Sequence, residues 1–224
     1  MRIRLTKDNV DQCRDFADMS APNQQAVEFQ ELGRRRAVHE IARDIFVGKL
    51  TEVAYAQVLG ELTDLAIELD FNVYPPGVWD NQDICVNRWR LESKGIRGGN
   101  WLLVHWNSLR YRQREDALPH VYLLGIVSWN RDRDDLSPNP YVLCVGYATL
   151  VELIEGYPGT QILLQNQHIP HTNMPLQTHN FGRHRDDLHN DWPQLVTLLT
   201  QSEPFRTDNY YVPIEDDAIR IRRG

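Results

Sequence analysis

Asp83, Glu92 and Lys94 place two carboxylates and one amine within a stretch of twelve residues. A hard divalent cation such as Mg²⁺ takes oxygen ligands from one or two carboxylates and completes its shell with waters and a substrate phosphate. An amine beside such an ion can orient or deprotonate a water, or neutralise charge that builds on a phosphate. These residue types therefore indicate metal-assisted chemistry at a phosphate.

The stretch from Asp83 to Lys94 is predicted to position these groups as a β-hairpin. Apolar and polar residues alternate along it, but the parity changes halfway, which predicts two short strands with Asn87-Arg88 as a two-residue turn. Asp83 then lies opposite Glu92, and two facing carboxylates, with Cβ atoms about 5 Å apart, repel each other unless a cation lies between them. The register also pairs Val86 with Trp89, Cys85 with Arg90, and Ile84 with Leu91.

The spacing of Asp83 and the tripeptide Glu92-Ser93-Lys94 resembles the metal-dependent nuclease signature of the PD-(D/E)xK superfamily, typified by type II restriction endonucleases. Gln82 stands where the signature has proline. The resemblance implies that Asp83 and Glu92 ligate the metal, that the Ser93 carbonyl is a further ligand, and that Lys94 orients or activates the attacking water. The alternative is an exposed hairpin with a solvated Glu92 and Lys94. Against it, the chain has only three lysines beside twenty-one arginines.

The helix that precedes the hairpin carries a candidate for a third acidic residue of the site. Glu52 falls on the apolar stripe of a helix predicted from Thr51 to about Leu69, so its carboxylate is expected to point inward, where a lone charge is costly unless a positive group is near. The nuclease resemblance suggests Glu52 as a third acidic member of the site. A glutamate favoured by the helix dipole is the alternative, and Glu40 is the second choice.

The segment from Arg88 to Arg114 is strongly basic. It holds seven basic residues and one acidic residue, a local charge of +6, whereas the whole chain carries −7 and the remainder therefore −13. Such a segment around a metal site suits a polyanion entering one cleft. The nucleic-acid contacts predicted here are Arg88, Arg90, Arg97, Arg110, Arg112 and Arg114.

The composition favours a single nuclease domain. A chain of 224 residues that is 42% hydrophobic can bury a sizeable core. We divide it into N-terminal helices (1–47), a catalytic core (48–156) and a C-terminal part with a loop, a final helix and a tail (157–224). Three cysteines without CxxC spacing argue against disulfides and structural zinc, and no signal peptide or membrane-length apolar run is seen. A cytoplasmic protein without membrane contact is expected.

The order of elements predicts an α/β sandwich with a mixed sheet, which agrees with the restriction-endonuclease-like fold that the resemblance implies. Helices are predicted over residues 7–19 and 24–46, before the helix that starts at Thr51, and again after Asp191. Near-continuous apolar runs over 121–129 and 141–147 indicate central strands. A further strand is predicted at 71–74, and the large apolar residues at 101–106 indicate either a strand or the start of a helix. Thr149 begins a short helix with a capping box.

Residues 157–190 are predicted to be mostly irregular, with only 161–165 strand-like. Histidines 179, 184 and 189 recur every five residues, a spacing that fits no zinc motif. A loop that contacts DNA is one interpretation of this region, and a solvated connection is the other. The DNA contacts predicted in it are Arg183, His184 and Arg185.

The function predicted from the sequence is a Mg²⁺-dependent endonuclease, with Mn²⁺ as a possible substitute. It would hydrolyse phosphodiester bonds of double-stranded DNA in the manner of type II restriction enzymes. Cutting both strands of a symmetric site favours a two-fold homodimer. The alternatives are a non-catalytic nucleic-acid-binding protein, in which the acidic pair is incidental, and a regulatory or scaffold protein of unrelated function.

Overall fold

The structure is a computed structural model that describes residues 1–32, 36–65, 67–76, 83–106, 109, 118–156 and 158–207. Within these residues the fold is mixed α/β, as the sequence predicts. The helices are α1 (Lys7–Leu32), α2 (Val38–Thr63), α3 (Leu150–Glu155) and α4 (Trp192–Gln201). The strands are β1 (Arg2–Arg4), β2 (Ile84–Val86), β3 (Trp89–Ile96), β4 (Trp101–His105), β5 (Val121–Val127), β6 (Trp129–Asn130), β7 (Asp135–Leu136), β8 (Tyr141–Thr149), β9 (Thr160–Leu163) and β10 (Asn180–His184).

The larger sheet has five strands in the order β1-β8-β5-β3-β2. Strands β3 and β5 run parallel, and the other neighbouring pairs are antiparallel. A second antiparallel sheet has the order β4-β10-β9, and β6 and β7 form a short hairpin. Strand β3, which carries Glu92 and Lys94, is therefore an inner strand with the short β2 at its edge.

Two hydrophobic cores lie on the two faces of the larger sheet. On one face, α1, α2 and α4 cover the apolar side chains of the sheet, including Leu91 and Leu123. On the other face, the second sheet and α3 pack against Tyr122 and Leu124. Because successive β3 side chains alternate between faces, Leu91 and Ser93 point to the helices, whereas Glu92 and Lys94 point towards the second sheet.

Helix α2 approaches the sheet closely at one point. Gly95 of β3 and Gly125 of β5 are paired neighbours in the sheet. A Cβ on Gly95 would lie 2.5 Å from Thr51 Oγ1, and a Cβ on Gly125 would lie 2.5 Å from Thr51 Cγ2. The two glycines therefore let α2 rest directly on β3, one residue beyond Lys94.

The predicted helix boundaries are wrong at four positions. Two of them are the start of the second helix, which is Val38 instead of residue 24, and the end of the third, where α2 stops at Thr63 instead of about Leu69. The other two are breaks that the structure does not contain. Helix α1 continues through Pro22 to Leu32 instead of ending at residue 19, because Ala21 beside the proline is buried against α2. Helix α2 is also continuous: Gly48 lies inside it, and Thr51 donates its hydroxyl to the Val47 carbonyl instead of capping a new helix. Burial against the sheet outweighs the roughly 1 kcal/mol that a helical glycine costs.

The C-terminal region contains more strand than predicted. Residues 180–184 form β10, the central strand of the second sheet, where irregular loop was expected. Phe181 anchors this strand by stacking on Trp106 with ring centroids 4.8 Å apart. Residues 71–74, predicted as a strand, form none. In the part of the chain described here, no helix has the length and apolar character needed to cross a membrane.

Candidate functional site

The hairpin has the predicted register. Val86 pairs with Trp89, Cys85 with Arg90, and Ile84 with Leu91. Asn87 and Arg88 have φ angles of 46° and 68°, so both turn residues adopt the left-handed conformation that a tight two-residue hairpin turn requires. The turn thus fixes which residues of β3 lie beside the end of β2.

Asp83 bends onto β3 at the point where the pairing with β2 ends. Its Oδ2 accepts a hydrogen bond from the Ser93 N–H at 2.8 Å. Burial and the negative charge of Glu92 raise the pKa of Asp83 to about 6, although Lys94, the Ser93 N–H and Lys49 act in the opposite direction. The two carboxylates are therefore near enough to repel each other, as the register predicted.

Lys94 forms an ion pair with Glu92. The Glu92 side chain is only 10% exposed, whereas that of Lys94 is 34% exposed. Lys94 is thus the more exposed partner of the pair, and Glu92 is the buried one.

His105, at the end of β4, also lies beside this group. Surrounding protein atoms lower its pKa although part of the residue remains exposed, and the charge of Lys94 lowers it further, while Glu92 opposes the change. Sequence analysis did not select His105. Its one signal was a polar residue near the end of an otherwise apolar strand.

Glu52 is buried, and the positive group near it is Lys49. Lys49 Nζ lies 2.5 Å from Glu52 Oε2 and donates a second hydrogen bond to the Asp70 carbonyl at 2.9 Å. The ammonium also lies over the rings of Phe16 and Phe71, at 4.6 Å and 5.3 Å. Glu52 thus belongs to a buried ion pair, and the charge of Lys49 also lowers the pKa of Asp83.

Glu40, the second choice for the third acidic residue, lies at the start of α2. Its Oε2 accepts a hydrogen bond from the Ala37 N–H at 3.0 Å, so it caps the helix. Twelve residues of helix separate it from Glu52, a distance of about 18 Å along the axis. The structure places Glu40 away from the carboxylate pair.

The donor set at Asp83 and Glu92 fits a hard divalent ion with an incomplete protein shell. Within the described ranges, no three histidine, cysteine, aspartate or glutamate side chains come together as a ready metal cage. Mg²⁺ does not require one, because it is commonly held by one or two carboxylates together with waters and substrate phosphate. The mutual repulsion of the pair, which raises the pKa of Asp83, is the electrostatic condition that a cation would relieve.

Two of the predicted nucleic-acid contacts lie near the hairpin turn. Arg88 is exposed and ion-paired with Glu203. Arg90 donates from Nε to the Leu118 carbonyl at 2.9 Å and from Nη2 to Thr207 Oγ1 at 3.2 Å, so it ties the hairpin to the C-terminal segment. Arg88 thus faces solvent, whereas Arg90 is partly enclosed by these contacts.

Three other predicted contacts lie at the end of β10 or directly after it. The Arg183 side chain is 5% exposed, donates from Nε to the Asp187 carbonyl at 2.8 Å and lies 3.4 Å from Glu152. These contacts tie β10 to the segment after it and to α3, so little of the Arg183 side chain is open to an external phosphate. His184 packs edge-on against Trp101, and Arg185 is exposed.

Arg97 lies at the far end of β3, after Lys94. Its guanidinium is 3.3 Å from Asp134 and 3.6 Å from Asp44, and it lies 5.4 Å from the centre of the Trp129 ring. These contacts fix the β3–β4 turn. The remaining predicted contacts, Arg110, Arg112 and Arg114, lie outside the described residues.

A scan against protein-family models, a search of curated proteins and a search of solved structures each found no match to this chain. Function is therefore inferred from the residues themselves.

Proposed function

We propose that the protein is a Mg²⁺-dependent endonuclease that hydrolyses phosphodiester bonds of double-stranded DNA, with a fold and a site of the restriction-endonuclease type. The observation that carries the proposal is the approach of Asp83 to Glu92 at the open end of the hairpin, with Lys94 bound to Glu92. A buried carboxylate and a half-buried one that repel each other next to an amine are costly to fold, and a cation-dependent reaction at a phosphate gives them a use.

In this proposal Asp83 and Glu92 hold the ion, and the carbonyl of Ser93 is a further ligand. Bound Mg²⁺ would polarise the phosphate and neutralise the developing negative charge, and Mn²⁺ could replace it. Lys94 orients the attacking water and helps to remove its proton. Glu52 acts indirectly, because its contact with Lys49 holds a positive charge near Asp83.

A two-fold homodimer is part of the proposal. Cleavage of both strands at a symmetric site needs two reaction centres related by the symmetry of the duplex. Analytical ultracentrifugation with and without duplex DNA tests this element separately.

The experiment that tests the activity is cleavage of supercoiled plasmid with Mg²⁺, Mn²⁺ or EDTA. Wild type is expected to cut only with a divalent ion, Asp83→Asn to lose cleavage, and Lys94→Ala to lose about a hundredfold or more in rate, the usual contribution of acid–base groups. Lys7→Ala is the matched control, because Lys7 is an exposed lysine in a simple pair with Asp11 on α1.

Two results would separate the proposal from its main alternative. DNA binding without cleavage by wild type, across several substrates and both metals, would favour a non-catalytic nucleic-acid-binding protein. Cleavage that survives both Asp83→Asn and Lys94→Ala would mean that another site, or a contaminant, performs the reaction.

A further inference from the structure

A positively charged feature lies beyond Lys94, at the turn that joins β3 to β4. Arg131, from the β6–β7 connection, lies against Gly98, since a Cβ on Gly98 would be 2.7 Å from Arg131 Nη2. Arg185 lies against Asn100: its backbone N–H donates to the Asn100 carbonyl at 2.7 Å, and its Nη1 donates to Asn100 Oδ1 at 3.4 Å. One three-residue turn thus carries an arginine at each end.

We propose that Arg131 and Arg185 bind the backbone phosphates of nucleic acid whose scissile bond lies at Asp83, Glu92 and Lys94. We call this pair with its turn the arginine rim. Its place relative to the scissile bond depends on the proposed function, whereas its binding of nucleic acid does not and is measured separately.

Arg131 and Arg185 differ from Arg97 in how many carboxylates of the protein they already bind. Arg97 is held by Asp44 and Asp134. Arg131 is exposed and, within the described part of the chain, forms no ion pair. Arg185 is 43% exposed, and its carboxylate neighbour Asp186 is itself 75% exposed, so solvent weakens that pair. Arg131 and Arg185 can therefore turn to an external phosphate at low cost.

The turn leaves room for a close approach. A Cβ on Gly99, which has a φ of 105°, would meet only Ile96 Cδ1 at 4.0 Å among the described atoms. Gly98 has no side chain where the Arg131 guanidinium lies. A nucleic-acid backbone could thus lie against the turn between the two guanidinium groups.

The spacing suits one strand of a duplex. Gly98 follows Lys94 by four residues, so the Cα atoms of the two residues are at most about 14 Å apart. That distance corresponds to roughly four nucleotides at about 3.4 Å per nucleotide on one strand. Gly98 and Asn100 are at most about 7 Å apart, so neighbouring phosphates of that strand can reach both arginines.

The test measures binding of a labelled duplex oligonucleotide in EDTA, by fluorescence anisotropy over about 50 to 200 mM salt. Arg131→Ala and Arg185→Ala are each expected to make the slope of log affinity against log salt shallower by about 0.9, and the double variant by about 1.8. The loss should be the same on duplexes of unrelated sequence, because phosphates carry no sequence information. Arg131→Lys and Arg185→Lys should keep most of the slope.

Arg4→Ala is the matched control, an exposed arginine on β1 at the opposite edge of the larger sheet, and it should bind like wild type. Melting temperatures of all variants confirm that they fold.

Unchanged slopes in the two alanine variants, or no DNA binding by wild type, would overturn the rim. If the slopes fall as expected but wild type never cuts DNA, the rim stands and the proposed activity fails. A third outcome is that wild type cuts DNA, Asp83→Asn does not cut it, and the rim variants bind DNA like wild type. The proposed activity then stands, and only the phosphate-binding role of the rim is refuted.

Discussion

Asp83→Asn should stabilise the metal-free protein at neutral pH. The ionised carboxylate is unfavourable in the fold because of burial and the charge of Glu92, which together raise its pKa from 3.8 to about 6. Asparagine removes the charge and keeps an oxygen that can accept the Ser93 N–H. The substitution that abolishes the proposed activity is thus expected to yield a more stable protein.

The magnitude follows from the difference between the folded and unfolded pKa values. A raised pKa in the folded state means that stability is fully present below about pH 4 and is lost as the pH rises through about 6. The shift of about two units corresponds to about 3 kcal/mol at pH 7 and to about 1 kcal/mol at pH 4.5. For a chain of this length, about 3 kcal/mol raises the melting temperature by roughly 6 to 12 °C.

The assay is thermal unfolding in EDTA from pH 4.5 to pH 8, with wild type, Asp83→Asn and the control Asp132→Asn. Asp132 is exposed in the β6–β7 turn, and its substitution should leave the melting temperature nearly unchanged. Added Mg²⁺ should raise the melting temperatures of wild type and Asp132→Asn but not that of Asp83→Asn, and so narrow the gap between wild type and Asp83→Asn. A gap that is absent, reversed or independent of pH would refute the electrostatic account of Asp83.

Two further predictions concern the packing that supports the site. Lys49→Met leaves Glu52 buried without its ammonium partner and should lower the free energy of unfolding in urea by about 3 to 5 kcal/mol. The double variant with Glu52→Gln should recover part of this loss. A loss below about 1 kcal/mol would contradict the buried pair. Gly125→Ala forces a Cβ against Thr51 and should lower the free energy of unfolding by about 1 to 3 kcal/mol. Gly48→Ala should stabilise the protein slightly, because a Cβ there meets nothing within 4 Å. Equal effects of the two substitutions would mean that α2 does not rest on the sheet.

The hairpin could be predicted from sequence because its determinants are local. The parity change around Asn87-Arg88 specifies the turn, and a one-residue shift would have turned Glu92 to the opposite face. That register alone was enough to predict that Asp83 and Glu92 lie close to each other. The same holds for the capping box at Thr149, which the structure contains.

The misassigned elements depend on contacts between distant parts of the chain. Gly48 resembles a helix end in isolation, but α2 passes through it because the sheet buries both flanking turns. Strand β10 has one large buried apolar side chain, Phe181, and its pairing partners lie far away in sequence. Patterns within a short window do not contain this information.

The partners of the charged residues also differ in whether they lie nearby or far away in sequence. Lys49 lies three residues before Glu52 on one helix, and i,i+3 spacing could have identified it as the missing positive group. The partners of Arg90, Arg97 and Arg183 come from other elements, so sequence could not show which arginines remain open to a ligand. Arg131 was overlooked because it lies outside the basic segment.

The central claim is that Asp83 and Glu92 share one divalent ion. Isothermal titration of Mn²⁺ into the metal-free protein at pH 7.5 tests it most directly, with Asp83→Asn, Glu92→Gln and Asp132→Asn in parallel. One ion per chain is predicted for wild type and Asp132→Asn, with binding lost in both Asp83→Asn and Glu92→Gln. Unchanged stoichiometry and affinity in either of these two variants would contradict the claim.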